Sequence, residues 1–375
     1  MLAEYIAASI PLHVADGWTY LARAFQSIRA GDRNTAFHLA YYAELRAAMS
    51  LLASEGVGVF RRRHVAIGPE CAPTIWRKDG YGTHDATWKL IGSWAEDNKR
   101  ATTLLKCIRV EERTIDGWFD AADIRLMPRL SVAREWLTAW SIDLEYFEKD
   151  HKLRDHVSYR PGGIAQNTSR EVVSSEEIID PFFNIWSALE PSPDLGGAAI
   201  DRILLQRALT KAHSLFFSKS ETWEVFLSRL EGVATPGFQQ QLKDSSKREH
   251  YVFTWADNRS KTPSIQSVLA RASLLLRIAN GVCARRLDDA GVKKKELQFW
   301  WTSFGRDGGL WPEDADLDSF ADLLWPEVVL ALDDCERELD QMNSSCTVYD
   351  VGKILGPKVA LTQFNRVPLW LLGVN

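Results

Sequence analysis

The chain has 375 residues, 46% of them hydrophobic and 25% charged, with a formal net charge of −5. These values exclude a disordered chain and a membrane-embedded one, and they allow one large domain or two ordinary ones. The acidic balance argues against sequence-blind binding of nucleic acid over the whole surface, though a local basic groove stays open.

In chain order, Met1 to Pro11 is apolar but carries Glu4 and no basic flank, so it does not read as a signal peptide. Asp16 is the expected N-cap of a first helix, with Trp18, Leu21, Phe25 and Ile28 on its apolar face and Gly31 closing it. Asp32 opens a second helix whose stripe is Phe37, Tyr41, Leu45, Ala48 and Leu52. The link between them is short, which predicts antiparallel neighbours, and the Y-Y-A-E-L-R-A-A run reads as the central hairpin of a helical bundle. His38, Tyr42 and Arg46 stand four apart on another face.

Residues 56–67 break the helical period, and Val57, Val59, Val65 and Ile67 fit a small hairpin or an extended loop. Arg61, Arg62, Arg63 and His64 make the most basic cluster of the first half and are the candidate RNA-binding set, a solvated face being the plain alternative. Cys71 to Gly82 reads as a loop, Thr83 as the cap of a helix through Trp88 and Trp94, and Leu104–Leu105 as part of the next helix. Ala133, Leu137, Trp140, Leu144 and Phe147 repeat at steps of four and three, predicting one helix from about Ser131 to His156. Carried forward, that stripe reaches His151 and Arg154, and Pro161 ends it. The Gly-, Asn- and Ser-rich stretch from Pro161 to Ser175 is the clearest linker, so the division expected is 1–165 and 176–375. Beyond it helices are expected over Asp201–Phe217, from Pro263 through Gly281, and over Phe320–Met342. The fold class is therefore all-α, a helical bundle followed by a second helical region, with at most a small β-hairpin near 57–67.

Five scattered cysteines without a C-x-x-C pair suit a reducing cytoplasm and give no metal site. No apolar run is expected to reach the length of a membrane span, the longest, around Leu274 to Ala279, being cut by Arg271 and Arg277. The 15 tryptophans suggest large core layers, some with a partner interface. Walker, dinucleotide, zinc-protease and G-x-S-x-G motifs are all missing, so no cofactor is expected. The K-R-E-H run, Lys247 to His250, has mixed charge and no capping context.

The helical hairpin with Y-Y-A-E-L-R-A-A and the later R-D-H-V-S-Y-R-P resemble a HEPN-superfamily domain over roughly residues 15–165. That family's signature is an Arg, commonly followed by Asn, Asp or His, with a His four to six residues beyond the Arg. Arg154 and Asp155 match the first positions, Tyr159 stands where the His is expected, and His156 falls too early. The resemblance implies metal-independent RNA cleavage at a cleft between paired domains. Arg154 would neutralise developing phosphate charge, with Asp155 or Glu44 orienting it. Tyr is a poor base near neutral pH, so an imidazole would have to come from His151 or His156. Two functions follow. One is a HEPN-like binding or assembly subunit of a bacterial toxin or anti-phage defence system. The other is an active endoribonuclease using Arg154 and a nearby His or Tyr159. Either implies a homodimer or a hetero-complex, with RNA as the further ligand and no membrane.

Overall fold

The computed structural model describes residues 1–61, 63–76, 81–97, 99–124, 132–147, 150–151, 175–192, 197–216, 222–244, 250–257, 264–293, 296–297, 302–309, 311–314, 323–341 and 347–368. The chain is mostly helical with a few short strands. Helix α1 spans Leu2–Arg29 and α2 spans Arg33–Ser54, packed antiparallel. The Asp32 side chain caps α2 by accepting from the Thr35 N–H at 3.0 Å, as its position before the apolar run predicts.

Helix α1 begins far earlier than Asp16. Its first turns are held by Ile6, which packs with Ala53 and Val65 in a small cluster of their own. Pro11 lies inside α1, and the hydroxyl of Ser50 on α2 donates to the Ile10 carbonyl beside it at 2.9 Å. Asp16 is then a mid-helix residue, 3.6 Å from Arg46, and caps nothing.

Strands β1 (Val57–Val59) and β2 (His64–Ile67) form the expected antiparallel hairpin. A third strand, β3 (Pro73–Trp76), extends it where a loop was expected, pairing Val65 with Ile75. Pro73 occupies its first position, where a missing N–H costs least. Helices α3 (Thr83–Glu96) and α4 (Arg100–Cys107), the two-residue pair β4 (Arg109–Val110) and β5 (Arg113–Thr114), and α5 (Ile115–Ala121) follow.

The long helix predicted from Ser131 to His156 is interrupted. Helix α6 covers only Ala133–Ala139, and Ser141 takes a left-handed φ of 59°. Ile142 N–H reaches the Leu137 carbonyl and Ser141 N–H the Thr138 carbonyl, at 2.8 and 3.1 Å, which together form a Schellman stop. Arg207, from the helix Ala199–Phe216, locks that turn by donating to Ala139 O and Ser141 Oγ at 2.8 and 2.9 Å. Side-chain period alone cannot register such a stop, because the apolar stripe runs on across it.

The central helix, Ile265–Asp289, is buried for most of its length and packs on α1, α2 and α4. Ser264 and Ser267 cap it reciprocally. Among the described residues it alone is long and apolar enough to cross a membrane, yet its apolar window is 94% buried inside the protein. Gly281 lets α4 approach closely, since a Cβ there would lie 2.2 Å from the Cys107 carbonyl oxygen. One hydrophobic core runs from Val14 to Val367 and includes residues on both sides of the 161–175 stretch. Trp18, Trp118, Trp136, Trp140 and Trp186 are among its largest fully buried side chains. The indole N–H groups of Trp18, Trp118, Trp140 and Trp186 donate to Asn280 Oδ1 and to the carbonyls of Val110, Leu204 and Leu361.

Candidate functional site

Three elements converge at one end of the α2–α3 pair. Helix α2 brings Tyr41, α3 brings His84, Asp85 and Trp88, and the segment after α6 brings Phe147, Asp150 and His151. Trp88 is fixed first, its ring stacked on Phe147 with centroids 4.3 Å apart and planes at 5°. Its indole N–H then donates to the Tyr41 hydroxyl at 3.1 Å, and that hydroxyl lies 2.9 Å from His84 Nδ1. His84 and His151 lie face to face, with centroids 5.2 Å apart and planes at 3°. The Tyr41 ring is nearly parallel to both, at 13° and 10°. Tyr42 meets His84 edge-on at 5.5 Å, and His38 lies 4.9 Å from Tyr42. His151 Nδ1 is 3.7 Å from Asp85 Oδ1, ion-pair range rather than a hydrogen bond.

Directly beneath lies a buried charge cluster. Glu44, one turn along α2 from Tyr41, and Asp150, next to His151, are both fully buried, and Arg271 of the central helix is 1% exposed. Arg271 pairs with Asp150, its Nε sits 3.4 Å from Glu44 Oε1, and its guanidinium lies over the Tyr146 ring at 5.3 Å. Burial pushes the Glu44 carboxyl well above the usual carboxylate range. The Asp150 carboxylate adds to that shift, and Arg271 opposes it. Burial thus favours the protonated form of Glu44, while Arg271 and Asp150 form the ion pair. This pair joins the segment bearing His151 to the central helix.

Of the residues singled out from sequence, Arg154, Asp155, His156, Tyr159 and Arg62 lie outside the described residues. Arg61 and Arg63 are exposed at the β1–β2 turn, whereas His64 is turned inward and only 2% exposed. Glu44, considered as an orienting group for Arg154, sits 3.4 Å from Arg271, and its relation to Arg154 lies outside the described residues. His84 escaped the sequence reading. Its signal was the H-D-A-T-W spacing, which places His84 and Trp88 on one helix face toward Tyr41.

Two other polar groupings are structural. Arg277 on the central helix bonds both oxygens of Asp201 at 2.7 and 2.9 Å, deep in the core. Ser187 Oγ lies 3.2 Å from His250 Nε2, but His250 Nδ1 accepts the Val252 N–H as a helix cap. That cap leaves the neutral ring's proton on Nε2, so His250 donates to Ser187 and cannot act as its base. Among the described residues no three His, Cys, Asp or Glu side chains gather as a metal-binding group.

No family model, curated protein or solved structure matches the chain. The chemistry available at the Tyr41–His84–His151 cluster is proton transfer and hydrogen-bond donation by imidazoles, on a surface of flat rings that suits stacking.

Proposed function

We propose that this chain is a HEPN-like protein that cleaves RNA without a metal, as a toxin or anti-phage defence factor. The observation that supports the reading is the His84–His151 pair, 5.2 Å apart, of which His151 stands three residues before Arg154 in the sequence. By sequence alone, Tyr159 in place of a His favours a catalytically silent binding subunit. The pair supplies the imidazole that the substitution removes. In the reaction, a ribose 2′-hydroxyl gives its proton to an imidazole and its oxygen bonds to phosphorus. The P–O5′ bond breaks, and the proton passes on to the leaving 5′ oxygen. The products are a 2′,3′-cyclic phosphate and a 5′-hydroxyl. Arg154 neutralises the developing charge on the phosphoryl oxygens.

The test is cleavage of a mixed RNA pool in the presence of a chelator, with end-group analysis. His151→Ala and Arg154→Ala are each expected to lose about a hundredfold or more in rate while folding normally. Tyr159→His, which restores the family's residue, is expected to cleave at least as fast as wild type. No cleavage by wild type or by Tyr159→His would sink the reading.

The second reading, a binding or assembly subunit, is favoured by exposed apolar side chains near the C-terminus. Leu330, Tyr349 and Val359 are 66%, 71% and 54% exposed. Both readings call for self-association or a complex. A 42.4 kDa monomer by light scattering across micromolar concentrations would remove the homodimer and leave the hetero-complex.

A further inference from the structure

Arg271 and Arg277 are both buried on the central helix, under two turns apart, and they are held differently. Arg277 closes on both oxygens of one carboxylate, Asp201, through Nε and Nη2. Arg271 instead divides one guanidinium between two elements. Its Nη2 donates to Asp150 Oδ2, its Nε lies 3.4 Å from Glu44 Oε1 of α2, and its Cζ lies over the Tyr146 ring. The same two elements meet again through their rings, Tyr41 and His151 stacking at 5.8 Å. Asp150 is fully buried while the adjacent His151 is half-buried, so the two side chains diverge. A buried ion pair is weak evidence for stability, because desolvation offsets much of the attraction. What the Arg271 cluster supplies is direction: fixing Asp150 fixes the backbone from which His151 projects.

We propose that Arg271 and Asp150 are positioning residues for His151, their buried pair turning its ring onto Tyr41 and His84. Both side chains are closed to solvent, so neither touches substrate. In its kinetic consequence the proposal rests on the RNA-cleavage reading above, in which His151 supplies the imidazole. The placement of the ring does not. Displacing a reacting group by about 1 Å can cost about a hundredfold in rate. The Arg277–Asp201 pair is the internal comparison, since it ties the central helix to the helix Ala199–Phe216 instead.

The experiment compares full-length variants in which each cluster loses its charges. Glu44→Gln/Asp150→Leu/Arg271→Met empties the first without stranding a partner, and Asp201→Leu/Arg277→Met empties the second. Proton–carbon NMR of histidine-labelled protein reads the His151 ring, assigned through His151→Gln. The wild-type Cε1–H signal is expected away from the position of an exposed histidine, because the Tyr41 and His84 rings stack on it at 5.8 and 5.2 Å. The first variant is expected to move that signal to the exposed position, and the second to leave it in place. An unmoved signal in the first variant, or equal movement in both, would overturn the positioning role whether or not RNA is cut. Asp150→Asn, which keeps the shape and an acceptor for Arg271, guards against a first variant that fails to fold. Its His151 signal is expected to move part-way, and a signal at the wild-type position would overturn the proposal as well. On RNA, the first variant is expected to lose about a hundredfold in kcat with KM within about threefold, and the second to stay within about threefold in both. Wild-type cleavage with undiminished kcat in the first variant would overturn the kinetic role and leave the cleavage reading standing. The expected NMR shifts without cleavage by the wild type would reject the RNA reading and leave the placement of His151 by Arg271 and Asp150.

Discussion

Arg271 sets one guanidinium against two carboxylates in a site closed to water, and burial there raises the pKa of Glu44. Removing the guanidinium strands Asp150 without a counter-charge. Arg271→Met is therefore expected to cost about 3–5 kcal/mol in urea unfolding. Glu44→Gln, isosteric with the protonated acid, is expected to cost far less at pH 7. The pH dependence separates the roles further. Unfolded Glu44 titrates near its ordinary 4.5 and the folded residue higher, so between them the native state holds the extra proton. On this account stability is fullest at low pH and falls as pH rises above about 4.5, until the folded carboxyl ionises. Glu44→Gln should flatten that fall, as urea midpoints measured from pH 4.5 upward would show.

At the scale of elements, the stop after α6 decides how the site is reached, because it redirects the chain toward His151. Ser141 does two things there. It adopts a left-handed backbone that costs a non-glycine residue about 1–2 kcal/mol, and its hydroxyl accepts from Arg207. Ser141→Ala keeps the strain and loses the bond, so it is expected to destabilise by about 1–3 kcal/mol. Ser141→Gly loses the same bond but relieves the strain, and should be less harmful by about 1 kcal/mol. Equal unfolding free energies for the two variants would count against a strained stop. Gly281 offers a starker case. A methyl group 2.2 Å from the Cys107 carbonyl must push backbone aside, so Gly281→Ala is expected to cost about 1–3 kcal/mol or more.

Across the whole molecule, one core links the first helices to the last turns, with the central helix as its axis. That continuity predicts a single unfolding transition, coincident by circular dichroism and tryptophan fluorescence; two separated transitions would mean that the halves fold apart. His13, half-buried on α1, accepts from Arg46 Nη1 at 3.2 Å, and burial, reinforced by the Arg46 charge, lowers it from 6.5 to about 4. Between those values the unfolded chain binds the extra proton, so this contribution is complete above pH 6.5 and lost as pH falls toward 4. It amounts to at most roughly 3 kcal/mol. His13→Asn, which keeps an acceptor but cannot titrate, should remove that acid sensitivity in melts between pH 4 and 6.5.

What the sequence determined by itself is local. The period of three and four placed the helices, Asp32 set the start of α2, and the valines of 57–67 gave the hairpin, because each depends on residues a few positions apart. The mostly helical class followed from the same patterns. What only tertiary structure decided depends on residues far apart in the chain. Packing on β2 extends α1 back through Ile6, and pairing with β2 turns 73–76 into a strand. The Schellman stop at Ser141 is completed by Arg207, 66 residues on. Tyr41 and His84 are 43 residues apart, and Asp150 and Arg271 are 121 apart. No pattern along the chain carries those distances. The raised pKa of Glu44 is likewise a property of its surroundings, set only when burial removes water and leaves each polar atom the partners that packing brings to it.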